Sequence, residues 1–398
     1  MKNCRRNKIK QTVTAVIVLV LIFAISVTTV LGFSAEKLLP VKEAQGFAAK
    51  KTVIEDIYRT DIHGFDKFIN LYSVFVKASG TRLFEDAAYG HIIMDTAGKL
   101  HFPMERTYEE KYANNLIALA EAAKSAGAEF IYVQAPNKKL EGFTEFPKGA
   151  YNYSNEDADA FLSDIENAGI DTLDLRDSIL SCGIHPDDIF YDTDHHWTTK
   201  ASFWAYGEII DELEKRYGIV CDGDGFYRDL SNYTVTHYDD SFLGAEGRRV
   251  GKYVAGVDDY IFIEPAFETD YAIYNMITSP DYPSAVGKFG DTIKQEHILK
   301  APEIETNRYG AYFGYDYGCL AIYNKAADND IKILLIKDSF ALPVTAFLST
   351  CVSEVHMIDL RDADAPIASE YIKENDFDVV IVMYNTEVFN DVMFTFDS

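Results

Sequence analysis

Hydrophobic and polar residues alternate in two rhythms over residues 108–218. Stretches with apolar residues three and four positions apart predict amphipathic helices, and short continuous apolar runs predict buried strands. The first such stretch, YEEKYANNLIALAEAAKSAG, is acidic at its start and ends at a glycine, as helices commonly do. The elements predicted here are a helix over 108–127, a strand over 128–136, a helix over 155–169, a strand over 170–175 and a helix over 198–218.

The same alternation returns near the C-terminus. The apolar run IKILLI predicts a strand, and SFALPVTAFLS predicts a helix with Pro343 in or near its first turn, where proline is tolerated. The predicted elements are strands over 331–336, 352–359 and 377–385 and helices over 339–349 and 365–375. Strands that alternate with helices at this spacing predict an α/β fold with a parallel sheet and helices on both faces.

Other regions depart from this rhythm. Residues 220–330 are rich in Tyr, Asp and Gly and carry short apolar runs such as DYIFIEP, which predicts a β-rich insertion between the two α/β halves. Nearer the N-terminus, residues 66–79 have helical spacing, and residues 84–102 predict short strands separated by glycine turns. We therefore expect one domain over residues 81–398 that contains the insertion.

The N-terminus predicts a membrane anchor. Residues 1–11 form a basic tail. Residues 12–33 carry no charge, and this run is about as long as a helix that crosses a bilayer. A basic flank stays in the cytoplasm, so residues 34–80 are expected to be a tether and N-terminal segment outside it. The alternative is a cleavable signal peptide with a site near Val30, which would make the protein secreted.

Charge and cysteine content exclude some classes of protein. All 63 acidic residues follow the apolar run, and the formal net charge is −26. Phosphate binding needs a basic face, so no nucleic-acid partner is expected. Cys182, Cys221, Cys319 and Cys351 form no CxxC pair, which predicts neither a zinc ribbon nor a disulfide scaffold. One disulfide or four buried thiols remain compatible with this spacing.

A cluster of acids and histidines lies immediately before the helix over 198–218. In YDTDHHW, one residue separates Asp194 from His196, so on an extended turn the carboxylate can reach the imidazole Nδ1 and leave Nε2 free. These are two parts of a Ser–His–Asp triad. Asp192, Asp194, His195 and His196 are also potential metal ligands, so a metal site is an alternative, as is a hydrogen-bonded turn without chemistry.

A candidate nucleophile follows the strand over 331–336. KDSFA places Ser339 between a buried strand and a helix, at the carboxyl end of a parallel strand, where open α/β sheets hold their sites. Backbone N–H groups at a helix N-terminus can stabilise an oxyanion there. The alternative is that Ser339 is an ordinary N-cap. With Asp194 and His196 upstream, Ser339 completes a candidate triad.

Six further residues are weaker candidates for contacts with a substrate or an oxyanion. They are Asn385 after the last strand, Arg308 and Tyr309 in the insertion, Lys138 after an early strand, and His195 and Trp197 beside the candidate base. Trp197 would wall the site or stack on a sugar ring, unless it anchors the following helix in the core.

These motifs carry a resemblance to a known family. DHHW before a helix, LLIKDSFA downstream and PNK after an early strand resemble the DHHW family, as do SFLGAEGRRVGKY and RYGAYFGYDYG. That family is similar to the catalytic domains of the alginate O-acetyltransferases within the SGNH hydrolase-like group. The resemblance covers roughly residues 80–390. It departs from the expected pattern at Tyr315, where we would expect a second glycine.

The resemblance implies an SGNH hydrolase-like, flavodoxin-like α/β fold with Ser339 as nucleophile, His196 as general base and Asp194 as its orienter. The predicted function is a membrane-anchored, extracytoplasmic O-acetyltransferase or esterase that acts on a cell-surface or secreted polysaccharide without a cofactor. A multi-span membrane acyltransferase that supplies the acetyl group is the implied partner. The alternatives are a non-catalytic glycan-binding or envelope-assembly protein with a degenerate site, and a metal-dependent hydrolase.

Overall fold

The computed structural model describes residues 65–397 apart from 87, together with a few isolated positions nearer the N-terminus. The chain divides into two compact units, residues 1–75 and residues 76–398. The first described helix, α1, covers Phe65–Ser79, as the sequence predicts. Most of the predicted anchor over 12–33 lies outside the described residues. Within the described part, no helix combines the length and apolarity needed to cross a membrane.

Helices and strands alternate through the second unit much as predicted. The strands are β1 Leu83–Asp86, β2 Gly90–Met94, β3 Leu100–His101, β4 Glu129–Ala135, β5 Asp171–Asp174, β6 Tyr233–Phe242, β7 Asp258–Pro265, β8 Tyr271–Asn275, β9 Ala285–Gly287, β10 Cys319–Asn324, β11 Lys332–Lys337, β12 Glu354–Ile358 and β13 Val379–Asn385. The helices are α2 Glu110–Ala126, α3 Ser154–Asn167, α4 Leu175–Ser178, α5 Thr199–Tyr217, α6 Gly247–Val250, α7 Lys252–Ala255, α8 Phe289–Thr292, α9 Glu296–Leu299, α10 Ala341–Cys351 and α11 Ala368–Glu374. Short 3₁₀ turns cover Ile179–Ser181, Pro186–Asp188, Leu230–Asn232 and Arg308–Ala311.

Eight strands form the main sheet in the order β5-β4-β13-β11-β12-β10-β8-β9. The five strands from β5 to β12 are mutually parallel. Strand β10 pairs antiparallel with β12, and β8 and β9 continue antiparallel from it. The sheet is therefore mixed, which corrects the prediction of a purely parallel sheet. Part of the predicted insertion extends the sheet, while β6 and β7 pair separately.

Helices cover both faces of the sheet, as predicted. Alternate residues of β11 point to opposite sides, so Ile333 and Leu335 pack with α5 and α10 while Leu334 and Ile336 pack with α2, α3 and α11. Burial on both faces explains why this strand is a continuous apolar run. A small antiparallel sheet of β1, β2 and β3 packs around a third core. The four cysteines named above are free thiols.

Candidate active site

Ser339 lies in the turn between β11 and α10, at the carboxyl end of the parallel strands. Asp338 shapes this turn, because its carboxylate accepts a 2.8 Å hydrogen bond from the Phe340 N–H and a 2.7 Å bond from the Asn385 N–H. Burial raises the pKa of Asp338. The N-cap residue of α10 is Phe340, without a side-chain capping bond, so the interpretation of Ser339 as an N-cap is wrong.

The segment over 189–198 brings His196 to this serine. It closes on itself through a bridge between Phe190 and Trp197 and a 2.8 Å bond from the Thr198 N–H to the Ile189 carbonyl. Nε2 of His196 lies 2.8 Å from Ser339 Oγ, and Nδ1 lies 2.5 Å from Asp194 Oδ1. The three predicted residues therefore meet in the order of a Ser–His–Asp triad.

Asp194 is buried and its carboxylate is fully engaged. Besides the imidazole, Oδ1 accepts a 3.1 Å bond from the His196 N–H and Oδ2 accepts a 2.7 Å bond from the Ala245 N–H. Burial by itself raises the pKa of Asp194, but the two neighbouring imidazoles and these hydrogen bonds outweigh it and hold the pKa well below its usual range. The carboxylate is thus ionised and orients the His196 ring.

Two neighbouring rings pack against the His196 imidazole. Tyr309 stacks on it with 3.8 Å between ring centroids and 12° between planes, and His195 packs at 3.9 Å. The Tyr309 hydroxyl and the Trp197 indole N–H both donate 3.0 Å bonds to the Phe340 carbonyl, next to Ser339. Partial burial and the neighbouring His196 lower the pKa of His195, which favours its neutral form.

The insertion supports the Asp194 segment from outside. A Cβ on Gly244 would lie 2.2 Å from Asp194 Cβ, so only glycine allows this approach. The Gly247 N–H donates a 2.8 Å bond to the Thr193 carbonyl. Asp258 accepts 2.8 and 2.9 Å bonds from the N–H groups of Asp192 and Thr193. Burial raises the pKa of Asp258 to about 6, against these hydrogen bonds.

Lys138 links this segment to the strand β4 side of the sheet. Its buried ammonium donates to the Asp194 carbonyl at 2.7 Å, to the Tyr191 carbonyl at 3.2 Å and to Glu246 at 2.5 Å. Burial raises the pKa of Glu246 to about 7, although Lys138 acts in the opposite direction. Lys138 and Glu246 therefore hold the segment over 189–198, here called the active-site segment, in place. It lies between the parallel strands of the main sheet, here called the catalytic half, and the insertion.

The Asp-His cluster also offers metal-ligand chemistry. Asp194, His195 and His196 can each present one ligand atom within 4.8 Å of the others. In the described geometry, however, Nδ1 of His196 and both oxygens of Asp194 already serve the hydrogen bonds given above. A metal would have to displace them, whereas acyl transfer uses them as they are.

Comparison with known proteins agrees with this architecture. Residues 100–223 match the family model of the SGNH hydrolase-like domain, acetyltransferase AlgX. The chain is similar to the AlgX SGNH hydrolase-like domain. This confirms the predicted resemblance. A comparison with curated proteins gives no match.

Solved structures share the fold of this chain over most of its length. PatB1 of Bacillus cereus has a TM-score of 0.63 and 21% identity, covering 77% of this chain and 99% of that one. PatB1 with a sulfonyl adduct gives 0.62 and 20%, covering 77% and 98%. A DHHW family protein from Eubacterium siraeum DSM 15702 gives 0.58 and 15%, covering 77% and 94%. At these identities the likeness establishes the fold.

Four of the weaker candidates are too buried to touch a substrate. Trp197, Tyr309, Lys138 and Arg308 are 0%, 2%, 1% and 4% exposed. Arg308 donates to the carbonyls of Ser241, Ile298, Leu299 and Ala301, so its guanidinium anchors loops of the insertion. The predicted substrate contacts of these four residues are corrected to roles in positioning the active-site segment or the insertion.

Asn385 and His195 lie beside the candidate site. The Asn385 side-chain amide donates a 2.7 Å bond to Asp338, beside the nucleophile turn, and the His195 side chain is 32% exposed. Sequence reasoning missed Gly244, Glu246 and Asp258 as supports. The stretch SFLGAEGRRVGKY carried the resemblance, but nothing in its spacing indicates that it packs on residues fifty positions upstream.

Proposed function

We propose that this protein is a serine-dependent O-acetyltransferase or esterase that acts on polysaccharide. The observation that carries the proposal is the continuous set of hydrogen bonds from Asp194 through His196 to Ser339. The serine is half-buried, with its hydroxyl at the carboxyl edge of the sheet. The match to an acetyltransferase family model supports an acetyl group as the transferred acyl group.

In the proposed reaction, Ser339 Oγ attacks the carbonyl carbon of an acetyl ester while His196 Nε2 takes the hydroxyl proton. Asp194 holds the imidazole and stabilises its cationic form. The imidazolium then gives its proton to the departing alcohol, which leaves an acetyl group on Ser339. A sugar hydroxyl accepts this acetyl group in a transferase, and water accepts it in an esterase.

The negative oxygen of the tetrahedral intermediate needs donors close to Ser339. Within the described residues, the Ser339 backbone N–H donates to no protein acceptor, so it is available for this oxygen. The N-terminus of α10 starts two residues later and adds its positive dipole end. Preorganised donors of this kind supply a large part of the acceleration in acyl transfer.

Location and partners complete the proposal. The basic tail and apolar run of residues 1–33 support a single-pass anchor with the catalytic domain outside the cytoplasm, or a secreted protein after cleavage. Acetyl-CoA is a cytoplasmic donor, so a transferase outside the cytoplasm needs acetyl groups carried across the membrane. A multi-span membrane acyltransferase would supply them, and a polysaccharide would accept them.

Covalent labelling tests the nucleophile directly. Phenylmethylsulfonyl fluoride should form a sulfonyl ester at Ser339 Oγ, with fluoride leaving and His196 taking the proton. Intact-mass and peptide analysis should find one label at Ser339 in the wild type, none in Ser339→Ala and much slower labelling in His196→Ala. Ser231→Ala, which removes an exposed serine, is the matched control and should label normally. Equal labelling of wild type and Ser339→Ala would overturn the proposal.

A further inference from the structure

A groove beside the candidate active site has no part in the chemistry described above. It consists of two adjoining cavities of about 460 and 290 Å³, which share Leu140, Glu141, Asn155 and Asp159 among their lining residues. The loop that follows β4 and the first turns of α3 form most of it. We call these two cavities together the β4 groove.

The β4 groove lies on the same edge of the sheet as Ser339. Strands β5, β4, β13 and β11 are neighbours in this order and run parallel, so the loops that follow them emerge side by side. With a strand spacing of about 4.8 Å, β4 lies roughly 10 Å and β5 roughly 14 Å from β11. A chain of a few sugar rings covers this lateral distance.

Hydrogen bonds join the groove to the nucleophile turn. Asn385 donates to Asp338 beside Ser339, and two residues later Glu387 accepts a 2.5 Å bond from the Lys139 ammonium. The Lys139 carbonyl in turn accepts a 2.9 Å bond from the Asn155 side chain in the groove. Residues that line the groove are therefore connected through these hydrogen bonds to the turn that holds Ser339.

Aromatic rings in the groove suit a sugar. Tyr151 is 40% exposed and lies 6.0 Å from Tyr153, with 29° between the ring planes. The Arg106 guanidinium covers Tyr153 at 4.5 Å, and the Tyr151 hydroxyl donates a 3.0 Å bond to Glu105. An aromatic face held in this way offers apolar area for the C–H face of a sugar ring, and its polar neighbours can bind hydroxyl groups.

The charge of the groove selects among sugars. Glu141, Glu156 and Asp159 line it, and the Lys139 ammonium is occupied by Glu387. A second lining cation, Arg176, pairs with Asp159 at 2.7 Å and with Asp174 at 2.6 Å. The excess of carboxylates repels a polyuronate and leaves acceptors for the hydroxyl and amide groups of uncharged sugars.

We infer that the β4 groove is a binding subsite for an acceptor glycan made of uncharged sugars, which it guides toward Ser339. This inference rests on the proposed function for its link to catalysis, but the binding itself does not require it. Tyr151 is the stacking platform, and the groove carboxylates discriminate against acidic chains.

Calorimetry with purified full-length protein tests the subsite. Cellohexaose or chitohexaose should bind the wild type, and hexagalacturonate should bind at least about tenfold more weakly. Tyr151→Ala should weaken binding of the neutral oligosaccharide about fivefold, while Tyr282→Ala, which removes a 75% exposed tyrosine in the insertion, should leave it unchanged. No binding of either neutral oligosaccharide, or equal affinity of wild type and Tyr151→Ala, would overturn the inference.

A charge-reversed variant tests the discrimination separately. Glu141→Lys/Glu156→Lys changes two surface residues of the groove and should raise the affinity for hexagalacturonate several-fold; unchanged discrimination would overturn the charge argument. Ser339→Ala should bind cellohexaose or chitohexaose as the wild type does. If Ser339→Ala keeps ester hydrolysis while Tyr151→Ala still loses binding, the proposed chemistry fails and the subsite stands.

Discussion

The catalytic half of the sheet and the insertion hold different members of the candidate triad, and they do so in different ways. In the catalytic half, a buried parallel strand and a helix position Ser339 through regular secondary structure. In the insertion, loop residues around Gly244 and Asp258 hold Asp194 and Thr193 through close backbone contact and partly buried hydrogen bonds. Ser339 is thus placed by the fold, and Asp194 and His196 are placed by a loop–loop contact.

Because of this difference, substitutions should displace the Asp194–His196 segment more easily than Ser339. The sheet as a whole fixes the position of Ser339, so a single substitution nearby should move it little. The Asp194–His196 segment depends on a few contacts from residues far away in the sequence, among them the link from Lys138 to Glu246. Changes in these contacts should damage the site more than changes of similar size on regular elements.

Breaking the Lys138–Glu246 link should have the largest effect on stability. Lys138→Met leaves a buried carboxylate and several carbonyls without their donor, which should cost about 3–5 kcal/mol in the free energy of unfolding. Lys138→Met/Glu246→Leu should recover part of this loss, because the unpaired charge is gone. Urea unfolding at pH 7.5 measures both. A loss below about 1 kcal/mol in the single variant would contradict the link.

Adding a side chain at Gly244, where the insertion contacts Asp194, should lower activity more than stability. Gly244→Ala places a Cβ 2.2 Å from Asp194 Cβ, so the carboxylate must shift away from His196. A displacement of this kind should lower kcat/KM for an acetate ester about 100-fold. Gly207→Ala, at a helical position where a Cβ meets nothing within 4 Å, is the matched control. Equal activity of the two variants would show that the contact does not position Asp194.

Asp258, a half-buried acid of the insertion, predicts a pH-dependent effect. Asp258 has a pKa raised to about 6 by burial, so the folded state binds this proton more tightly than the unfolded state. Its contribution to stability is therefore present below the unfolded pKa and is lost as pH rises through about 6. Asp258→Asn should cost more at pH 4.5 than at pH 7.5, as thermal unfolding at the two pH values can show.

A buried histidine should give the opposite dependence of stability on pH. His101 belongs to the small sheet, and burial lowers its pKa to about 3 despite its 2.9 Å contact with Asp95. The protein therefore loses stability as pH falls below about 6.5, because His101 then binds a proton in the unfolded state and stays neutral in the folded state. His101→Gln should therefore cost more at pH 7.5 than at pH 4.5. Variants of Asp258 and His101 with the same pH trend would contradict this assignment.

His195 should have the smallest effect. It packs against His196 with 3.9 Å between ring centroids, so His195→Phe should keep kcat within about threefold of the wild type, whereas His195→Ala should lose about tenfold through looser packing. Steady-state kinetics on an acetate ester separates the two variants. Equal, severe losses in both would favour a ligand role for His195 and hence the metal alternative.

Much of the fold is readable from the sequence, because strands such as β11 and β13 are buried on both faces and form continuous apolar runs. Strand β10 pairs antiparallel beside β12, and its apolar run CLAIYN does not differ in pattern from that of a parallel strand. Pairing direction depends on connections between distant segments, which periodicity does not report.

The candidate site divides in the same way. Asp194, His196 and Ser339 are predictable because their spacing and their place at strand and helix ends indicate chemistry. Trp197 and Arg308 look like ligand-binding residues in the sequence, since neither side chain reveals its burial until the fold is known. The partners of Asp194 across the insertion depend on tertiary contacts, and no local pattern marks them.

Hydrolysis of a chromogenic acetate ester by the full-length protein tests the central claim most directly, with Ser339→Ala and a chelator as the two comparisons. We predict that Ser339→Ala lowers turnover at least about 10⁴-fold and that the chelator leaves wild-type turnover unchanged. Turnover that survives in Ser339→Ala and disappears with the chelator would contradict the serine mechanism and assign the chemistry to a metal at Asp194, His195 and His196.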